Sequence, residues 1–184
     1  RFCVAIRPVV SMLAGLADSH NRATPALERL YAAWSAGGAG LLITGNIQVD
    51  RRYMERPGNV AIDGPQDSRQ LAALQAFAAA GTQHNTHCWA QIGHAGRQCD
   101  VMVSKVGVAP SPVASNNLGG YGALLMRPTW TPRQLTEGEL AELTARFAAA
   151  AAVCKQVGFT GVQIHSAHGY LLSSFLNPNC NKRS

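Results

Sequence analysis

Gly40-Leu41-Leu42-Ile43-Thr44-Gly45-Asn46 is the stretch on which the fold turns. Its apolar residues run without alternation, the pattern of a parallel strand covered on both faces. A helical pattern leads into it. Thr24-Pro25 supplies an N-cap and a first-turn proline, Leu27, Leu30, Tyr31 and Trp34 recur at helical spacing, and Gly37-Gly38 ends the run. The same pairing of helix and strand then repeats. A helix over 68–80 stops at Gly81 and is followed by a strand over 86–92. Thr136 and Glu139 form a capping box ahead of a helix with Leu140, Leu143, Phe147, Ala151 and Cys154 on one face. Gly158 is its C-cap, and a strand over 161–164 closes the series. A first strand is expected within 4–10, interrupted by Pro8. A long loop, about 93–134, carries most of the prolines and Gly119-Gly120-Tyr121-Gly122.

Four strands alternating with three helices predict a parallel sheet with right-handed crossovers, either doubly wound or part of a (β/α)8 barrel. In a dinucleotide-binding fingerprint the glycines follow a strand and open a helix. Here Gly37, Gly38 and Gly40 come before the strand, and no helical pattern follows Gly93-His94-Ala95-Gly96-Arg97. The barrel is therefore preferred.

Composition narrows the class. The 184 residues are 47% hydrophobic and 14% charged, a globular balance. The net charge is +6, yet no Lys/Arg run exceeds two residues, which argues against a nucleic-acid arm and a polybasic membrane anchor. The surplus lies late in the chain: Glu142 is the last acidic residue, and Arg146, Lys155, Lys182 and Arg183 follow it. No apolar run approaches the ~20 residues of a membrane span. Five cysteines without CxxC spacing read as reduced thiols, and with no signal-peptide layout the expected location is cytoplasmic.

Ligands of parallel βα folds bind at the C-terminal ends of the strands. Those ends here are polar: Thr44, Gly45 and Asn46; Gln91 with Gly93-His94; and His165, His168 and Tyr170. His165 and His168, three residues apart, can aim two N–H groups at one oxygen, an arrangement that polarises a carbonyl or holds an oxyanion. Tyr170 can deliver a proton to a carbanion or enolate. Gln91 needs partners for both its carbonyl and its amide, which a flat heterocycle or the backbone can satisfy. Thr44-Gly45 lets a planar ligand approach the backbone. A metal site on His165, His168 and Cys180, serving a metal-assisted hydrolase, is an alternative that lacks a nearby carboxylate. His84 and His87, at the opposite end of their strand, read as structural or surface residues.

The run Gly161-Val162-Gln163-Ile164-His165-Ser166-Ala167-His168-Gly169-Tyr170-Leu171-Leu172, followed by Phe175-Leu176, resembles the signature of the Old Yellow Enzyme family of NADH:flavin oxidoreductases, or ene-reductases. Gln91-Ile92-Gly93-His94-Ala95-Gly96-Arg97, Leu41-Leu42-Ile43-Thr44-Gly45-Asn46, Glu55-Arg56-Pro57-Gly58-Asn59, Gly15-Leu16-Ala17-Asp18 and Asn181-Lys182-Arg183 are similar to further stretches of that family. The resemblance implies an α/β fold that is the N-terminal half, about four βα units, of a (β/α)8 TIM barrel, with residues 1–184 forming part of one FMN-binding domain. It implies FMN as cofactor and NADH or NADPH as electron donor. Gln91, Gly45, Thr44 and His165 are the implied flavin contacts. His165 and His168 are the implied grip on the oxygen of an α,β-unsaturated carbonyl, and Tyr170 the proton donor to its α-carbon. The expected partner is a small enone-type molecule, with no nucleic acid and no membrane, and a homo-oligomer when full length.

Two departures stand out. Leu13 follows Met12 where the family places a polar residue beside the flavin, and Leu124 to Trp130 fits poorly. A full barrel needs ~250 residues. The chain therefore reads as truncated, and residues 1–184 alone are expected to be unstable, oligomeric or inactive, or even a non-catalytic product.

Overall fold

In the computed structural model, residues 8–10, 15–114 and 131–183 are described. Leu13 and the stretch 124–130, with Gly119 to Gly122, lie outside them. Strands β1 (Pro8–Val10), β2 (Leu41–Ile43), β3 (Ile47–Gln48), β4 (His87–Gly93), β5 (Val108–Ala109), β6 (Arg133–Gln134) and β7 (Gly161–Ile164) join helices α1 (Pro25–Ala36), α2 (Ser68–Gly81), α3 (Glu137–Gln156) and α4 (Leu171–Leu176). The main sheet runs β1-β2-β4-β7, all parallel, and β3 adds to the far end of β4. Each long strand pairs with the next one in the chain and a helix lies between them. This is the succession of a (β/α)8 barrel, and the chain is its N-terminal half.

Within the described residues β1 covers Pro8–Val10 and pairs in parallel with β2. The capping box forms as expected: Thr136 and Glu139 bond reciprocally at the start of α3. The C-cap is Val157, one residue earlier than expected, and Gly158 follows it at φ +100° with its N–H on the Lys155 carbonyl. Thr24 is the N-cap of α1 as expected, though without a side-chain capping bond. Its hydroxyl donates to the Leu16 carbonyl at 2.6 Å. Proline at the first helical position has no N–H to satisfy, which lowers the demand for a capping bond.

Strand alternation sorts the side chains into two layers. Leu42, Cys88, Ala90 and Ile92 face the helices and join Leu27, Tyr31, Leu74, Phe77, Ala150 and Cys154 in one core. Tyr31, Phe77 and Phe159 stack edge-to-face at 4.7 and 5.6 Å, each pair contributing about 1 kcal/mol beyond its buried area. Burial pushes the Cys88, Cys99 and Cys154 thiols up to about 12, so these packed cysteines stay protonated. On the opposite face of the sheet Trp89 lies across its neighbour strand. A Cβ on Gly161 would come within 2.6 Å of the indole, which is why that position carries no side chain.

The long loop holds order that periodicity does not reveal. β5 and β6 pair in parallel, two residues each, and their Val108 packs with Leu135, Leu143 and Leu171 in a second small core. Arg183 ties the end of the described chain to this lobe by donating to the Leu135 and Pro110 carbonyls and pairing with Glu137.

Candidate active site

Register decides which strand ends meet. Ile43 pairs with Trp89, Gln91 with Gln163, and Ile92 with Ile164. β4 runs to Gly93, past the end of β2, and Thr44, Gln91, Gln163 and His165 form a band across the C-terminal ends of β2, β4 and β7. The Thr44 hydroxyl accepts from the Gln91 N–H at 2.9 Å and donates to the Gly45 carbonyl at 2.9 Å. Gly45 N–H donates to the Tyr31 hydroxyl at 3.2 Å, so the first strand-end loop is tied to α1. Thr44, Asn46, Gln91 and His165 are all buried although polar. Each is held by a bond or a packed neighbour.

Gln163 is a site residue that sequence reasoning missed. Its carbonyl accepts from the Gln91 amide at 2.6 Å. The signal was its spacing: two before His165 on a strand, it shares a face with that residue. Among the described residues neither the Gln91 carbonyl nor the Gln163 amide makes a further hydrogen bond, so the pair offers one acceptor and one donor side by side.

The predicted trio does come together. The His165 and His168 rings lie 5.1 Å apart, centroid to centroid, and His165 and Tyr170 lie 4.8 Å apart, both edge-to-face. Burial, then the neighbouring His168, lowers the His165 pKa, so His165 is neutral at pH 7. Its Nδ1 accepts from the Ala167 N–H at 3.3 Å, which leaves the imidazole proton on Nε2. His168 is exposed and adopts φ +58°. Gln98, also unforeseen, donates to its carbonyl at 2.6 Å and steadies that left-handed turn. His165, His168 and Cys180 do not gather as a metal site: no group of three or more His, Cys, Asp or Glu side chains converges among the described residues. His84 and His87 are exposed, which favours the surface reading of the two.

A buried carboxylate supports the loop after β4. His94 is sealed from solvent; its Nδ1 accepts from the Gly96 N–H at 3.0 Å, and its Nε2 lies 3.8 Å from Asp50. Arg52 grips Asp50 through Nε at 2.9 Å and Nη2 at 2.8 Å. Burial pushes the Asp50 carboxyl up, but His94 and Arg52 together hold it well below the ordinary carboxylate range. A folded-state pKa below the unfolded one stabilises above the unfolded value, about pH 4, and that stability drains away as pH falls further. Asp50→Asn is therefore expected to cost about 2 kcal/mol at pH 7, discounted because Arg52 is half exposed. The gap from wild type narrows in urea melts at pH 3.

A half-barrel with polar side chains massed at the C-terminal ends of its strands is the layout of a barrel enzyme's active face. The family is identified by sequence. The model of the NADH:flavin oxidoreductase / NADH oxidase family matches residues 4–184, and the chain belongs to that family. It is 35% identical over 182 residues to the NADH-dependent flavin oxidoreductase iliE of Hypocrea jecorina (strain QM6a), covering 95% of this chain and 45% of that protein. It is 34% identical over 175 residues to an NADH oxidase of Thermoanaerobacter brockii, covering 94% of this chain and 25% of that one. The solved Old Yellow Enzyme homologue of Zymomonas mobilis matches with a TM-score of 0.77 at 26% identity, covering 97% of this chain and 49% of its own. The chain thus spans half or less of the length of these relatives. Among the described residues no helix is long and apolar enough to cross a membrane.

Proposed function

We propose that this chain forms the N-terminal half of an FMN-dependent oxidoreductase that uses NAD(P)H to reduce the C=C bond of a small α,β-unsaturated carbonyl. The observation that carries this reading is the His165–His168–Tyr170 cluster standing beside the Gln91–Gln163 pair at the strand ends. The donor set fits FMN. The open acceptor of Gln91 and the open donor of Gln163 match a pyrimidine edge, whose N–H and carbonyl groups need one of each. Thr44 and Gly45 would flank the ring system and His165 would reach it from β7.

The chemistry that FMN supplies when bound is hydride transfer, accepted from NAD(P)H and passed to the β-carbon of the enone. The protein does the rest. His165, neutral with its proton on Nε2, and His168 hold the carbonyl oxygen and stabilise the negative charge that develops there. Tyr170 gives its phenolic proton to the α-carbon and regains one from water.

The purified protein that carries this chain is expected to release FMN on denaturation, to bleach anaerobically with NADH or NADPH, and to regain its colour when 2-cyclohexenone is added. A colourless protein with metal-dependent hydrolase activity overturns the reading. His168→Ala is expected to weaken the binding of p-hydroxybenzaldehyde, a phenol that mimics the enolate oxygen, by roughly tenfold or more, the worth of one charge-assisted hydrogen bond. Flavin content should stay intact. Difference absorbance titration reads both.

A further inference from the structure

Asn46, at the C-terminal end of β2, has no part in the mechanism above. It is buried, and its amide nitrogen donates twice: to Glu55 Oε2 at 3.2 Å and to Tyr170 Oη at 3.3 Å. A carboxylate only accepts, so Glu55 decides which end of the amide faces this way, and that end is the NH2. Glu55 is itself fixed by Arg56, whose Nε donates to it at 2.9 Å and whose Nη2 pairs with it as well. Asn59 locks the frame: it donates to the Asn46 backbone carbonyl at 3.3 Å and accepts from the Arg56 N–H at 2.9 Å. A chain of bonds thus runs from Arg56 through Glu55 and Asn46 to the phenol oxygen of Tyr170. In the last of these bonds Tyr170 accepts. Its own O–H is left for another partner.

We infer that Asn46 is a positioning residue for proton delivery: its Glu55-anchored amide holds the Tyr170 oxygen as an acceptor, which turns the phenolic O–H towards the substrate carbon. The inference rests on the reading of Tyr170 as proton donor. In that step the β-carbon gains hydride from reduced flavin, which NAD(P)H restores. The α-carbon takes the proton from Oη, the electron pair of the O–H bond stays on Oη, and water returns the proton. The Asn46 N–H already sits on the atom where that charge appears. The groups facing the phenol are Glu55, Arg56 and the His165 ring, with His168 just beyond. Burial and then the Glu55 charge push the Tyr170 phenol up; the Asn46 N–H and the Arg56 guanidinium pull it back.

The test separates the two half-reactions by stopped flow in the flavin-loaded protein. Asn46→Ala is expected to slow reoxidation by 2-cyclohexenone roughly 10- to 100-fold, part of the 10²–10⁴-fold a general acid supplies. Flavin reduction by NADH should change less than twofold. In Asn46→Ala/Tyr170→Phe the loss should equal that of Tyr170→Phe alone, because both changes remove one function. Glu55→Gln, which keeps an acceptor for the amide, should restore most of the rate that Glu55→Ala loses. Phenolate absorbance, measured against Tyr170→Phe as blank, should titrate at higher pH in Asn46→Ala. Asn46→Ser, a milder change, is read the same way if the alanine variant folds poorly. Unchanged reoxidation in Asn46→Ala, or losses that multiply in the double variant, overturn the inference while leaving Tyr170 as proton donor. A wild-type reoxidation rate in Tyr170→Phe removes the proton donor itself, and this inference falls with it.

Discussion

Tyr170→Phe is expected to cut enone reduction by roughly 10²- to 10⁴-fold, the usual worth of a positioned general acid, while leaving flavin reduction by NADH close to wild type. The two half-reactions differ because hydride transfer from a nicotinamide to a flavin leaves no carbanion to protonate, whereas reduction of an enone does. Phenylalanine keeps the ring that packs edge-to-face on His165 at 4.8 Å and deletes only the hydroxyl. The loss should therefore appear in the rate and not in the melting temperature. Tyr170 is half-buried and its hydroxyl is one of two acceptors for the Asn46 amide, so the removal leaves that amide with Glu55 alone. Stopped-flow reoxidation of the NADH-reduced protein by 2-cyclohexenone gives the number. Equal losses in both half-reactions would instead mean that the tyrosine shapes the flavin pocket.

Gly96→Ala is expected to be the most damaging single methyl group in the chain's active face. Gly96 adopts φ +62°, and an added Cβ would lie 2.9 Å from Leu171 Cα and 3.0 Å from Leu171 N. The left-handed conformation costs a side chain about 1–2 kcal/mol. Relieving the backbone overlap adds to this, for a total of roughly 3 kcal/mol. The atoms that must give way belong to the residue after Tyr170, and Leu171 N–H is bonded to the His94 carbonyl at 3.1 Å. Stability and enone reduction should fall together. Gly138→Ala is the control: it sits in α3 with nothing within 4 Å of its Cβ, so alanine should stabilise by about 0.5–1 kcal/mol. Urea unfolding of both variants decides whether the Leu171 contact or glycine loss in general is responsible.

Much of this molecule could be read from local pattern. The apolar run at 41–43 and the spaced leucines of α1 and α3 announce strand and helix, because burial on one or both faces imposes its period on the chain. The strand ends could be read in part: Thr44 and His165 stand one residue past β2 and β7, whereas Gln91 lies two residues before the end of β4. The same logic failed at β5 and β6. Two residues are too few for a period, and Arg133 and Gln134 are exposed, so nothing in their chemistry signals pairing. At Thr24 the N-cap position was legible, but not that its hydroxyl would turn to the Leu16 carbonyl.

What the sequence by itself determined was the repeat of helix and strand, the face on which polar groups gather, and the family to which the chain belongs. What only the tertiary structure decided was which of those groups meet. Gln91 finds Gln163 across 72 residues because β4 and β7 pair in one register and no other. Asn46 finds Tyr170 across 124 residues because β2 and β7 both flank β4, so the segments that follow them meet beside its end. Period records the direction in which a side chain points. The distance between two such side chains is set by strand register and by the closeness with which Gly96 lets one loop rest on the next.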